Sequence, residues 1–141
     1  FYTRIYKFEI DGIKVKPYAV GEVRGFIYNR LQLDEYKDYL RVSTYGWEDI
    51  GDGLLKHISF TNIFILNNKM EIVGSITKIA ESEYLYATRF MNNYAYLVTF
   101  HRIDPLFIVD LSNPRKPGII GELKLPGFSK MLQPIWDDLL I

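Results

Sequence analysis

The sequence predicts an all-β protein. The prediction rests on strand-like alternation of apolar and polar residues, on turn residues that punctuate it, and on the lack of a convincing amphipathic helix pattern. With 48% hydrophobic and 16% aromatic residues in 141, the chain can bury the core of one globular domain.

The first predicted hairpin is "RIYKFEIDGIKVKPYAV". Apolar and charged residues alternate from Tyr6 to Ile10, and Asp11-Gly12 follows, the dipeptide typical of the centre of a type I′ turn. A second hairpin is predicted in "NIFILNNKMEIVGSI", because Asn67-Asn68 tolerates the left-handed conformation. The third is "FIVDLSNPRKPGIIGELKLPG", in which Asn113 to Gly118 forms a longer connection.

Each hairpin ends in a similar glycine tag: "GEV" at Gly21, "GSI" at Gly74 and "GEL" at Gly121, spaced 53 and 47 residues apart. A further predicted strand pair follows each tag, in "LDEYKDYLRVST", "RFMNNYAYLVTF" and "PIWDDLLI". A four-stranded module that recurs at about 40–50 residues is typical of β-propeller blades. A β-sandwich has similar short strands, but it has no reason to repeat a module.

We therefore predict one partial propeller domain over residues 1–141, of about two and a half four-stranded antiparallel blades. The approximate repeats are 1–23, 24–76, 77–123 and 124–141, the last being the start of another blade. The chain lacks an initial Met and stops within the strand-like "WDDLLI", so we expect a fragment of a larger propeller.

Short polar groups recur between the paired strands, and we interpret them as turns: Asp34, Glu35 and Asp38, then Asn92-Asn93, then Asp137-Asp138. The stretch from Tyr45 to Thr61, "YGWEDIGDGLLKHISFT", accounts for the longer first interval. Because it is polar and rich in glycine, we expect it to be a loop insertion on one face.

Composition argues against several classes of partner. Seventeen basic and seventeen acidic residues leave no net field for nucleic acid or anionic lipid, and no apolar stretch is long enough for a membrane span. The absence of cysteine excludes disulfides and thiolate metal sites.

The candidate functional residues are few. His57 and His101 lie in different repeats without a metal-binding spacing, so we interpret them as ordinary loop or strand-end residues. The acids Glu48, Asp49 and Asp52 lack the spacing of a calcium loop. No hydrolase elbow or phosphate-binding motif is present, so we assign no catalytic, cofactor-binding or metal residues and expect no enzyme activity and no cofactor.

The stretches "TRIYKFEID", "DEYKDYLRVST" and "RFMNNYAYLVTFHRIDPLFIVDLSNPRKPGIIGELKLPGFS" resemble the predicted secreted proteins with a C-terminal β-propeller domain distantly related to WD40 repeats, which occur in archaea and some bacteria. The resemblance covers nearly the whole chain. It implies a secreted or cell-surface location and an unknown biochemical function, and it supplies no catalytic residues.

From these observations we expect a non-enzymatic extracellular scaffold or interaction module, with a protein or polysaccharide ligand on the loop face. The tyrosines and Trp47 are candidates for a binding platform, although alternating aromatic residues also pack between blades. We further expect contact with the remaining blades, or self-association through open sheet edges. The alternatives are part of a hydrolase-like propeller enzyme whose active site lies partly outside this segment, and a degenerate or truncated product.

Overall fold

The computed structural model describes residues 1–51, 57–100, 104–125, 131–136 and 139–140. The twelve strands in these residues are β1 (Tyr2–Asp11), β2 (Lys14–Arg24), β3 (Leu33–Tyr36), β4 (Tyr39–Asp49), β5 (His57–Leu66), β6 (Ile72–Ile79), β7 (Tyr84–Met91), β8 (Tyr94–Phe100), β9 (Asp104–Asp110), β10 (Gly118–Leu125), β11 (Pro134–Trp136) and β12 (Leu139–Leu140). A short 3₁₀ turn at Arg30–Gln32 precedes β3.

The strands form two complete sheets and two strand pairs. Strands β3 to β6 form one four-stranded antiparallel sheet and β7 to β10 form the other, each with its strands in chain order. The pair β1–β2 precedes them, and the pair β11–β12 follows them. The predicted all-β fold with four-stranded propeller blades is therefore confirmed.

The three glycine tags occupy one position in the outer strand of each hairpin. Gly21 pairs with Ile5, Gly74 with Ile65, and Gly121 with Ile108. The tags thus mark the same point of a repeated register, which identifies β1–β2 and β9–β10 as outer strand pairs like β5–β6.

Two of these glycines touch the next sheet in the chain. A Cβ on Gly21 would lie 2.7 Å from the carbonyl oxygen of Met70, in the β5–β6 turn. A Cβ on Gly74 would lie 2.0 Å from the carbonyl oxygen of Pro114, in the β9–β10 connection. Since real Cβ atoms do not approach oxygen so closely, these contacts require glycine.

The first two hairpin turns differ in detail from the sequence prediction. Asp11 pairs with Lys14, so the central residues of the first turn are Gly12 and Ile13 rather than Asp11 and Gly12. Only Gly12 has a positive φ, +57°, which is the pattern of a type II′ turn and not of type I′.

In the second turn the left-handed residue is Met70, with φ +64°, and not Asn67 or Asn68. The Asn67 side chain instead accepts hydrogen bonds from the backbone N–H groups of Lys69 and Glu71, at 2.9 and 3.0 Å. The predicted connection from Asn113 to Gly118 joins β9 and β10 as expected.

The polar pairs lie at the turns within the sheets. Lys37 and Asp38 join β3 to β4, both with positive φ, while Asp34 and Glu35 belong to strand β3. The Asn92-Asn93 pair joins β7 to β8, as predicted. Asp137-Asp138 lies outside the described residues.

The expected loop insertion from Tyr45 to Thr61 is wrong. Residues 45–49 continue strand β4 and residues 57–61 begin strand β5, and the two segments pair from Tyr45 opposite Thr61 to Asp49 opposite His57. The strand accommodates its glycine and its acid through specific contacts: Gly46 packs against the Phe60 ring, and Glu48 pairs with Arg24. Residues 52–56 lie outside the described chain.

Apolar residues from both complete sheets form the largest buried cluster, which comprises Ile63, Ile65, Ile79, Phe90, Ala95, Leu97, Val109 and Leu111. A buried polar contact also joins the two sheets: the hydroxyls of Ser43 on β4 and Thr88 on β7 are 2.8 Å apart. The two sheets therefore share one interior, as adjacent blades do.

Candidate functional site

The candidate site is an open cleft of about 660 Å³ where the two complete sheets meet. It lies at the end of the sheets where β4 finishes and where β5 and β7 begin. Its lining residues are Tyr45, Trp47, His57, Ser59, Ser82 and Tyr84.

Strand pairing explains four of these positions. Tyr45 and Trp47 are two residues apart on β4, and His57 and Ser59 are two apart on β5, so each pair shares one face of the sheet. Trp47 lies directly opposite Ser59 in the ladder. The sheet thus presents two aromatic side chains beside two polar ones.

Two hydrogen bonds, one between backbone groups and one from a serine hydroxyl, hold the start of β7 against β5. The Ser82 N–H donates to the Ser59 carbonyl at 2.8 Å, and the Ser59 hydroxyl donates to the Glu83 carbonyl at 3.0 Å. Ser82 adopts a positive φ of 68°. These bonds fix where Tyr84 enters the second sheet, so the cleft wall is built from both blades.

The aromatic rings of the cleft continue into a cluster of six. Tyr45 and Tyr84 are stacked with centroids 5.8 Å apart, and Tyr45 is 6.3 Å from Trp47. Trp47 also stacks on Phe26 at 5.1 Å. The remaining members are Phe1, 5.0 Å from Trp47, and Tyr28, 5.9 Å from Tyr45.

The segment after β2 holds this cluster in place. Phe26 and Tyr45 exchange two backbone hydrogen bonds, at 2.6 and 3.0 Å. Gly25 makes this approach possible: its φ is +99°, and a Cβ there would lie 2.7 Å from the Tyr45 carbonyl oxygen. These backbone contacts therefore fix the position of Phe26 and Tyr45 within the aromatic cluster.

Two polar features border the cleft. His57 Nδ1 contacts a carboxylate oxygen of Asp49, its partner across the ladder. Burial raises the pKa of the Tyr45 phenol, Ser59 lowers it through a hydrogen bond, and Tyr84 raises it further. The net effect is a pKa above the ordinary value of a tyrosine, so this phenol is protonated at physiological pH.

The predicted acid cluster does not assemble around one point. Glu48 bonds Arg24 at 2.8 Å and also contacts Lys78, whereas Asp49 contacts His57. Asp52 lies outside the described residues. In the described part of the chain, no group of three or more His, Cys, Asp or Glu side chains is placed to hold a metal ion.

The sequence names Trp47 and the tyrosines as a possible binding platform and predicts His57 to be an ordinary loop or strand-end residue. The structure brings Trp47, His57 and two tyrosines into one cleft. The sequence does not predict Ser59 and Ser82. For Ser59 the available signal is the alternation in "YGWED" and "HISF", although the polar residues and glycine around it predict a loop. His101 lies outside the described residues.

The repeated four-stranded sheets and the comparison with known families both indicate a β-propeller. The family model described as "Beta propeller domain" matches residues 1–141. The chain therefore belongs to the β-propeller domain family.

Two archaeal relatives are similar over nearly the whole chain. An uncharacterized protein of Methanocaldococcus jannaschii is 42% identical over 140 residues, which is 99% of this chain and 21% of that protein. An uncharacterized protein of Archaeoglobus fulgidus is 39% identical over 134 residues, which is 94% of this chain and 19% of that protein. The chain thus spans about one fifth of the length of these curated relatives.

No solved structure matches the chain. Among the described residues, no helix is long and apolar enough to cross a membrane.

Proposed function

We propose that this chain is part of a non-enzymatic interaction module that binds a polysaccharide in the cleft between its two complete blades. The observation that carries the proposal is the combination of Trp47, Tyr45 and Tyr84 with His57 and two serines around one open volume of about 660 Å³. That volume lies in the range of about 300–1,000 Å³ found for small-molecule sites.

The chemistry of the lining matches that of a sugar chain. A pyranose ring has apolar C–H faces that pack on aromatic rings, and its hydroxyls exchange hydrogen bonds with polar groups at the ring edge. Tyr84 is 58% exposed, so its ring is accessible to a ligand. The neutral Tyr45 phenol and the His57 ring are the polar groups beside it.

The hydrogen bonding of Ser59, a serine among the described residues of the cleft, supports a binding role. Ser59, on the same strand as His57, donates its hydroxyl to the Glu83 carbonyl and is therefore committed to the structure. The pairing of His57 with Asp49 is the observation that favours the alternative, a hydrolase-like propeller enzyme. His57→Ala distinguishes the two functions: a binding module keeps its ligand unchanged over time, whereas an enzyme releases products that this variant abolishes.

We also propose that the protein is secreted or attached to the cell surface, where polysaccharide ligands occur. The support is the resemblance to predicted secreted proteins with propellers distantly related to WD40 repeats. Fractionation of cells that express the tagged natural gene tests the location, and recovery of the product in the cytoplasm alone would contradict it.

Intrinsic fluorescence tests ligand binding, because the chain has two tryptophans. In a Trp136→Phe background, Trp47 is the sole reporter. We expect saturable changes in its emission on titration with dextran, mannan or N-acetylglucosamine oligomers. Binding of a proline-rich peptide, with no response to any glycan, would overturn the polysaccharide proposal in favour of a protein ligand.

A matched pair of tyrosine variants locates the site. Tyr84→Ala removes the exposed cleft ring at the start of β7, and we expect at least a tenfold loss of affinity. Tyr94→Ala removes a partly exposed ring at the start of β8, at the opposite end of the same sheet, and should leave affinity unchanged. Equal affinities in the two variants would contradict binding at the cleft.

A further inference from the structure

A second cavity, of about 250 Å³, lies between the two complete sheets at the end opposite the cleft. It is bordered by the β3–β4 turn, the β7–β8 turn and the start of the β9–β10 connection. Its lining residues include Tyr36, Lys37, Tyr39, Arg41, Asn93 and Ser112. We call this space the Arg41 cavity, and both of its walls belong to complete blades.

The register of β4 separates the Arg41 cavity from the cleft. Tyr39 and Arg41 are two residues apart, so they share the face of the sheet that carries Tyr45 farther along the strand. Ser43 lies between Arg41 and Tyr45 on that face, and it is buried against Thr88 of the next sheet. The cleft and the Arg41 cavity are therefore separate spaces at the two ends of one interface between blades.

Arg41 is a buried cation with donors to spare. Its side chain is only 4% exposed. Its Nε donates to the Asp34 carboxylate at 2.9 Å, its Nη2 contacts the same carboxylate oxygen, and its Nη1 contacts the Asn92 carbonyl oxygen. A guanidinium has five N–H groups, so these bonds leave one N–H on each terminal nitrogen. Such a pair can donate two parallel hydrogen bonds to one carboxylate.

Lys37 brings a second positive charge to the Arg41 cavity. Its Nζ lies 5.1 Å from the centre of the Tyr36 ring, and the Arg41 guanidinium carbon lies 4.7 Å from the same ring. Asp34 neutralises one of the two charges, whereas Asp38 does not line this cavity. Among the described residues, each charged residue that lines the cavity is basic, so the cavity attracts an anion.

We propose that the Arg41 cavity binds a small carboxylate. Arg41 donates to both carboxylate oxygens, Lys37 supplies the second charge, and the Tyr39 ring packs against the carbon skeleton of the ligand. The cavity is smaller than the usual range of about 300–1,000 Å³, so it fits one acidic sugar unit or a short aliphatic acid, which share this chemistry. The site shares no lining residue with the cleft and does not depend on the polysaccharide proposed there.

Titration of the ¹⁵N-labelled 141-residue chain with sodium D-glucuronate tests the site. We expect saturable shifts of the backbone amide signals of Lys37, Asn93 and Ser112, and no such shifts with D-glucose, the matched neutral probe, at equal ionic strength. The signals of Ser59 and Ser82 report the cleft separately. Equal shifts of the first three signals with glucose, or no saturable shift with any carboxylate, would overturn the proposal.

A parallel titration with succinate identifies the source of the carboxylate. Shifts of the same three signals with glucuronate alone would support an acidic sugar as the ligand. Shifts with succinate alone would support a short aliphatic acid, and shifts with both would support a general carboxylate site.

Two variants test the roles of the basic residues. Arg41→Lys keeps the buried charge but removes the paired donors, and we expect it to weaken carboxylate binding about tenfold or more. Lys37→Gln removes the exposed charge, and we expect it to weaken binding about threefold.

Lys69→Gln is the matched control, because Lys69 is an exposed lysine in the β5–β6 turn at the same end of the same sheet and does not line the cavity. We expect this variant to keep the affinity of the natural chain. If Arg41→Lys fails to fold, the two lysine variants still decide. Equal affinities of Lys37→Gln and Lys69→Gln for the carboxylate would overturn the assignment.

Discussion

Gly74 lies so close to the Pro114 carbonyl oxygen that a Cβ at this position would be only 2.0 Å from it. Gly21 has the same relation to Met70 one blade earlier, where the distance would be 2.7 Å. Two of the three glycine tags, Gly21 and Gly74, are therefore points where an outer strand touches the outer turn of the next blade.

Gly74→Ala should destabilise the protein because the added methyl group must displace backbone. We expect a loss of about 1–3 kcal/mol, as for other overpacked sites. Gly121→Ala is the matched control, since its Cβ would have ordinary contacts. Urea denaturation of both variants measures the difference, and equal midpoints would show that Gly74 is not a contact between blades.

Gly12→Val should also destabilise the protein, but for a different reason. Gly12 has a φ of +57° and open space around it, so the penalty arises from backbone strain alone. We expect about 1–2 kcal/mol, the cost of the left-handed conformation for a residue with a Cβ. Gly51→Val, also in open space but without the positive φ, should cost much less. Equal decreases in the melting temperatures of Gly12→Val and Gly51→Val would contradict the turn assignment.

The buried hydroxyl pair of Ser43 and Thr88 should show coupling across the two sheets. We expect Ser43→Ala and Thr88→Ala each to cost about 1–3 kcal/mol, because each leaves the other hydroxyl buried without this partner. The double variant should cost less than the sum of the single variants.

Thr61→Val is the control for this cycle. The Thr61 hydroxyl is buried and has no hydrogen-bond partner in the described structure, so its removal should be neutral or stabilising. Additive losses from Ser43→Ala and Thr88→Ala would mean that the two sheets do not meet at these residues.

Glu48 should make stability depend on acid pH. Hydrogen bonds from Lys78 and then Arg24 hold the pKa of its carboxyl below the ordinary value of 4.5. Because the folded pKa lies below the unfolded one, the ionised carboxylate stabilises the fold above about pH 4.5, and this contribution is lost as the pH falls through the folded pKa.

Denaturation of the natural protein and of Glu48→Gln across pH 2–7 measures this effect. We expect Glu48→Gln to be the less stable of the two at neutral pH, and the difference to shrink below about pH 4.5. A constant difference over the whole range would show that Glu48 does not form these ion pairs in solution.

The repeated architecture was predictable from sequence because turns and glycine spacing carry local information. The "NN" pair at Asn92-Asn93 and the connection after Asn113 lie where the pattern predicts. The asparagine, proline and glycine residues of these connections favour chain reversal through their side chains and allowed φ angles, so the turns depend little on tertiary contacts.

The candidate cleft was harder to predict because it depends on contacts between blades. The polar residues and glycine of "YGWED" predict a loop, yet Gly46 lies within β4, where a Cβ would be 3.0 Å from the Phe60 ring. The stacking of Tyr45 on Tyr84 joins residues of different sheets, and no local pattern encodes that distance.

The central claim is that three hairpins of this chain share one register within a propeller. Backbone NOEs in the isotopically labelled 141-residue protein test it most directly. We predict cross-strand contacts for Ile5 with Gly21, Ile65 with Gly74 and Ile108 with Gly121, and none that joins β2 to β3 or β6 to β7 in a ladder. A ladder between β6 and β7, or a different partner for any of the three glycines, would contradict the propeller account.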